Sequence, residues 1–144
     1  VGALIFSNFI NITGAPEAIV DALKALDVPP LAVMALILLF YLLLGCVFDA
    51  LAMILLTVPI FFPLVMALGF DPVWFGIITV VVVELSLITP PIGMNLFVIH
   101  SVAREIPMTT IYRGIMPFIA VDIVRLAILV LFPMLVLFLP NQMG

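Results

Sequence analysis

The sequence predicts an all-α membrane protein, and three observations carry that expectation. Hydrophobic residues fill 67% of the 144 positions and charged residues only 8%, against roughly 45–50% and 25% in an ordinary soluble domain. A soluble fold of this size could not cover its surface with so little charge. The apolar residues also arrive in long blocks, Leu31 to Val47, Val73 to Val83 and Ile115 to Leu139, where a globular chain would alternate them with polar ones. Proline and glycine, finally, interrupt these blocks at a few fixed places, so helices in lipid are joined by breaks.

Residues 1–12 read as the end of a transmembrane helix, closed by Asn11, Thr13 and Gly14. Because the chain is apolar from its first residues, with no basic stretch ahead of them, it reads as a fragment that opens inside a helix and not as a signal peptide. Residues 16–27 read as a short amphipathic helix in the membrane interface. Pro16 suits a first turn, Glu17, Asp21 and Lys24 share one face, and Ile19, Leu23 and Leu26 gather on another.

Val28-Pro29-Pro30 then breaks the chain. Two apolar runs follow, Leu31 to Phe48 and Ala50 to Leu68, joined through Gly45-Cys46-Val47-Phe48-Asp49. A helix over Leu31 to Leu44 covers about 21 Å at roughly 1.5 Å per residue, short of the roughly 30 Å hydrocarbon core. Residues 29–68 are therefore expected to form a re-entrant hairpin whose tip stops inside the membrane.

Gly69-Phe70-Asp71-Pro72 is a turn by composition, with Trp74 and Phe75 expected as interface anchors. Residues 73–102 form a discontinuous helix. Its first half runs from Val73 to about Leu87 and meets Thr89-Pro90-Pro91-Ile92-Gly93, where two prolines remove two backbone donors. Helix resumes over Met94 to Val102. Ser101 to Arg113 is the most polar loop, and residues 115–139 are the last transmembrane helix.

Several chemistries are excluded by what is missing. The net charge of -4 comes from thinly spread acids and bases with no basic stripe, which sets nucleic acid aside. Cys46 and His100 are the sole residues of their kinds. That rules out an intrachain disulfide and leaves no zinc or iron cluster or Cys/His nucleophile. No phosphate loop, catalytic carboxylate pair or nucleophile elbow is present, so an enzyme is not expected.

Non-helical backbone at membrane depth leaves amides and carbonyls unpaired unless protein, water or a ligand satisfies them. The Gly45 to Asp49 joint and the Thr89 to Asn95 break are thus the candidate sites. Freed carbonyls and side-chain oxygens can hold a dehydrated sodium ion, and half-helix N-termini can face an anion. Thr89 supplies a hydroxyl, Asn95 an amide oxygen and Asp49 a carboxylate, Gly45 and Gly93 allow close backbone access, and Pro90 and Pro91 make the break. Each has a plainer reading: a Pro-Pro pair is also a kink, and Asp49 also an N-cap. Glu84 divides evenly between a structural hydrogen bond and a coupling role. Asp122 and Arg125, three apart, form a structural ion pair, and His100 is an interfacial residue.

The segments LLLGCVFDALAMILLTVPIFFPLVMALGFDPVWFGI and VELSLITPPIGMNLFVIHSVA resemble the C-terminal part of the large membrane (M) subunit of tripartite ATP-independent periplasmic (TRAP) transporters. The likeness runs along essentially the whole chain, to PMLVLFLP. It implies a sodium-coupled secondary transporter with the elevator-type fold of the ion transporter superfamily. This chain would be its second inverted repeat: arm helix, re-entrant hairpin, broken transmembrane helix and final transmembrane helix. It further implies uptake of small organic anions, dicarboxylates or acidic sugars, delivered by a periplasmic substrate-binding (P) protein. A small membrane (Q) subunit would be the partner in a bacterial inner membrane, with sodium as coupling ion and no covalently bound cofactor.

By the same likeness, the hairpin tip and the break form one sodium site and one wall of the substrate site. The first-repeat motifs are absent, so this piece is not expected to transport alone. The tip has few side-chain oxygens beyond Asp49, which leaves backbone carbonyls as most of the ligands. Arg104 and Arg113 on one side, against three acids and one lysine in residues 16–27, place the hairpin entry on the periplasmic face. Two alternatives stay open: a dicarboxylate/sodium symporter of the same superfamily without a binding protein, and a non-transporting membrane scaffold.

Overall fold

The computed structural model describes residues 2–25, 27–90 and 93–143. Among them lie eight helices: α1 (Gly2–Ile12), α2 (Ala15–Ala25), α3 (Pro30–Gly45), α4 (Ala50–Ala67), α5 (Pro72–Ile88), α6 (Met94–Val102), α7 (Met108–Leu131) and α8 (Pro133–Met143). By length and composition α4 and α7 could each cross a membrane. At about 1.5 Å per residue α3 covers about 24 Å and α4 about 27 Å, both under the hydrocarbon thickness of about 30 Å.

Helix α2 packs on α4 with Pro16 and Val20 buried and Glu17 and Asp21 exposed. Ile19, expected on the apolar face, is exposed instead, because the packed stripe follows Pro16, Val20 and Leu23 around the helix. Leu26 lies outside the described residues. Extended Pro29 and a proline in the first turn start α3. Residues 46–49 then turn the chain so that α4 returns along α3, with Phe61 set against Phe40 and Tyr41.

Inside the hairpin the Tyr41 and Thr57 hydroxyls lie 2.8 Å apart, and Thr57 also donates to the Met53 carbonyl at 2.7 Å. Thr57 has one proton, so the Tyr41 hydroxyl must be the donor between the two. The nearby Thr79 hydroxyl is buried beside Tyr41, and among the described residues no partner meets it at full hydrogen-bond geometry.

Helix α5 is the centre of the molecule, in contact with α3, α4, α6, α7 and α8. Asp71 caps it, its carboxylate accepting from the N–H groups of Val73 (2.8 Å) and Trp74 (3.2 Å), and Pro72 occupies the first position. Trp74 and Phe75 are not interface anchors: they are 1% and 2% exposed. Stacking on Phe70 and a hydrogen bond from the indole to the Leu129 carbonyl hold Trp74 in the core.

The C-terminal part departs from the single helix over 115–139. Helix begins at Met108, directly after extended Pro107, so the polar loop contracts to residues 103–107. It then stops at Phe132, whose φ of -121° and ψ of 72° are not helical, and restarts at Pro133. A proline disfavours helical geometry in the residue before it, and that local rule overrides the continuous apolar run. Asp122 and Arg125 pair at 3.1 Å within α7.

Candidate site where the hairpin tip meets the helix break

The four-residue connection at the hairpin tip packs on the C-terminal end of α5. Gly45, the last residue of α3, touches Ser86 of α5 so closely that a Cβ at position 45 would overlap the serine side chain. Met53 of α4 closes the third side, its Cε 3.3 Å from the place of that Cβ. One residue on, buried Cys46 donates to the Leu42 carbonyl at 3.2 Å, and its sulfur also faces the carbonyls of Thr89 at 3.5 Å and Pro90 at 3.9 Å. A thiol has a single proton, so it cannot satisfy all three.

The backbone around this contact presents several carbonyl acceptors. Among the described residues no backbone N–H donates to the carbonyls of residues 45–48, whereas the Thr89 carbonyl opens a hydrogen-bonded turn at Pro90. The tip and the break therefore meet at Cys46, whose sulfur faces two carbonyl oxygens of the break. Unpaired carbonyls away from water are costly and call for a partner. Among the described residues no group of three His, Cys, Asp or Glu side chains could hold a metal. The oxygen atoms near this contact are backbone carbonyls and the Thr89 hydroxyl, neutral hard donors.

The individual candidates separate as follows. Thr89 ends α5 with extended backbone, and its hydroxyl donates to the Leu85 carbonyl at 2.6 Å. The proton is thereby used and the oxygen lone pairs are left free. Gly93 begins α6 with φ of +54°, in the left-handed region, and a Cβ there would sit 3.0 Å from Leu96 Cδ1 and 3.2 Å from the Thr89 carbonyl oxygen. Glycine is favoured at this position both by dihedral and by space. It brings the start of α6 against the end of α5.

Asp49 takes the capping role: its Oδ2 accepts from the N–H groups of Leu51 (3.1 Å) and Ala52 (3.3 Å), and the residue is exposed. Asn95 is exposed on the first turn of α6. Pro90 lies in the break, whereas Pro91 is outside the described residues. Glu84 is exposed on α5, and His100 is half-buried in α6.

Sequence reasoning missed Ser86 and Cys46, which make the contact between tip and break. Their partners lie more than 40 residues away in the chain, so no local pattern announces them. Helix α6 has no side-chain cap, its Leu96 N–H donating instead to the Gly93 carbonyl at 2.8 Å, while α4 has its first N–H groups closed by Asp49.

Residues 1–135 match the family model described as "Tripartite ATP-independent periplasmic transporter, DctM component". The chain is 35% identical over 142 residues to the C4-dicarboxylate TRAP transporter large permease protein DctM of Pseudomonas aeruginosa, covering 99% of this chain and 33% of that protein. It is 34% identical over 141 residues to the sialic acid TRAP transporter large permease protein SiaM of Vibrio cholerae, covering 98% and 33%. With the isethionate TRAP transporter permease protein DctMQ of Oleidesulfovibrio alaskensis it shares 35% identity over 136 residues, 94% of this chain and 21% of that protein. The chain thus spans a third or less of the length of these relatives.

Proposed function

The chain belongs to the DctM-component family of tripartite ATP-independent periplasmic transporters, and from that premise we propose that it is part of a sodium-coupled importer of small organic anions. Its relatives are transporter permeases, not enzymes. In this reading the chain is the second inverted repeat of an elevator-type, multi-pass subunit in a bacterial inner membrane. A small membrane subunit is its partner, and a periplasmic binding protein delivers the substrate.

The observation that carries the sodium assignment is the contact of tip and break at Cys46, where the Thr89 and Pro90 carbonyls face the sulfur and the carbonyls of residues 45–48 accept from no backbone N–H among the described residues. In this reading these carbonyls and the Thr89 hydroxyl supply neutral oxygen ligands. Asp49 adds negative charge beside the tip while it caps α4. Sodium bound here offsets the cost of the unpaired carbonyls and fixes the tip against the break. Gly93 and Asn95 then present the uncapped start of α6, whose N–H groups and positive dipole end suit an anionic head group. The C4-dicarboxylates, sialic acid and isethionate named for the relatives all carry such a carboxylate or sulfonate.

The test is uptake into proteoliposomes by the full-length subunit with its small subunit and binding protein, using labelled members of those substrate classes. Uptake is expected to require an inward sodium gradient, and Thr89→Ala to raise the sodium half-saturation by about tenfold, the equivalent of about 1.4 kcal/mol. Equal uptake with potassium in place of sodium overturns the assignment.

A further inference from the structure

We propose that Ser86 is the seat of the hairpin tip: a positioning residue that sets how near the tip, at Cys46, comes to the break that follows α5. Ser86 is fully buried, and its hydroxyl donates to Val83 of its own helix at 2.6 Å. It offers α3 shape, not a hydrogen bond. Opposite stands Gly45, a residue that disfavours helix by about 1 kcal/mol relative to alanine and that has no positive φ here to justify it. Space is the remaining reason, since a Cβ at 45 would overlap both Oγ and Cβ of Ser86. Met53 Cε lies 3.3 Å from the same point, so that side of the socket is occupied as well.

The contact is immediately next to Cys46, which faces the Thr89 and Pro90 carbonyls. Any atom added between Gly45 and Ser86 therefore lifts the tip from the break. The effect on sodium rests on the function proposed above; the seat itself does not.

The experiment uses the full-length subunit carrying Gly45→Ala, Ser86→Gly, or both. Alkylation of Cys46 by N-ethylmaleimide, followed by mass spectrometry of its peptide, reads tip seating without sodium. Cys46 is 4% exposed, so the parent protein is expected to react slowly and G45A about tenfold faster, as overpacking of a closed contact displaces its neighbours. The G45A/S86G double variant is expected to return to the parent rate, because the added methyl group then fills the space vacated by the serine side chain. If G45A fails to assemble, Ser86→Val crowds the same contact from α5.

Sodium half-saturation of uptake is expected to follow alkylation through the series, with the maximal rate less affected, a split that simple loss of stability would not give. An unchanged alkylation rate in G45A, or no recovery in the double variant, overturns the seat. Recovery of alkylation in a protein whose uptake ignores sodium overturns the proposed coupling and leaves the seat standing.

Discussion

The indole N–H of Trp74 donates to the Leu129 carbonyl at 3.0 Å, and Leu129 stands four residues before Pro133. In a continuous helix that carbonyl would accept from the N–H of residue 133, which proline lacks. The vacancy at the end of α7 is filled from α5, 55 residues earlier in the chain. One proline thus both separates α7 from α8 and creates the acceptor that ties them to the central helix.

Trp74→Phe keeps most of the buried ring but strands this carbonyl, and is expected to cost about 1–3 kcal/mol. The check is thermal unfolding of the purified full-length subunit in detergent. Pro133→Ala restores a donor for Leu129, so the cost of Trp74→Phe is expected to shrink in that background. Strict additivity of the two changes would show that the indole and the proline do not share the carbonyl.

Gly93→Ala puts a Cβ on left-handed backbone 3.0 Å from Leu96 and 3.2 Å from the Thr89 carbonyl. Strain and crowding together are expected to cost about 1–3 kcal/mol and to reduce uptake, because the start of α6 moves away from the end of α5. Full uptake and unchanged melting in G93A would remove Gly93 from the site.

Asp49 has two separable contributions. Asparagine can cap α4 as aspartate does, so Asp49→Asn is expected to keep stability within about 0.5 kcal/mol, whereas Asp49→Ala loses about 1 kcal/mol. Sodium half-saturation is expected to rise in both variants, since both lose the charge beside the tip. A sodium response in D49N identical to the parent's would limit Asp49 to capping.

Thr79 and Tyr41 are expected to behave oppositely. Thr79→Val removes a buried hydroxyl that no partner among the described residues meets at full hydrogen-bond geometry and is expected to be neutral or stabilising, while Tyr41→Phe removes the donor to Thr57 and costs about 1 kcal/mol. Melting of the two variants side by side decides the point. A loss in T79V as large as that in Y41F would mean that the Thr79 hydroxyl is hydrogen-bonded.

The tip and the break were legible in the sequence because glycine and proline act on their own neighbours: Gly45, Pro90 and Gly93 punctuate the backbone wherever they stand. The same rule applied to Pro133 would have divided the last helix, but a long apolar run outweighed it. Trp74 was misplaced for a different reason. An aromatic residue after a turn suits a membrane boundary as well as a core, and only the Leu129 carbonyl, far along the chain, decides between them. Ser86 gave no signal at all, since one serine in an apolar helix acquires meaning only when Gly45 is set against it.

Helix α3 holds one polar side chain, Tyr41, and α4 holds one, Thr57. Two rods that are greasy on every face can slide past one another by a turn, about 5.4 Å, and still bury similar surface. Only one alignment of this hairpin joins its two hydroxyls, and a mismatched pair would strand both in hydrocarbon. The pair is a registration mark: it fixes which residues reach the bend, and so decides that Gly45, and not one of the leucines before it, arrives opposite Ser86.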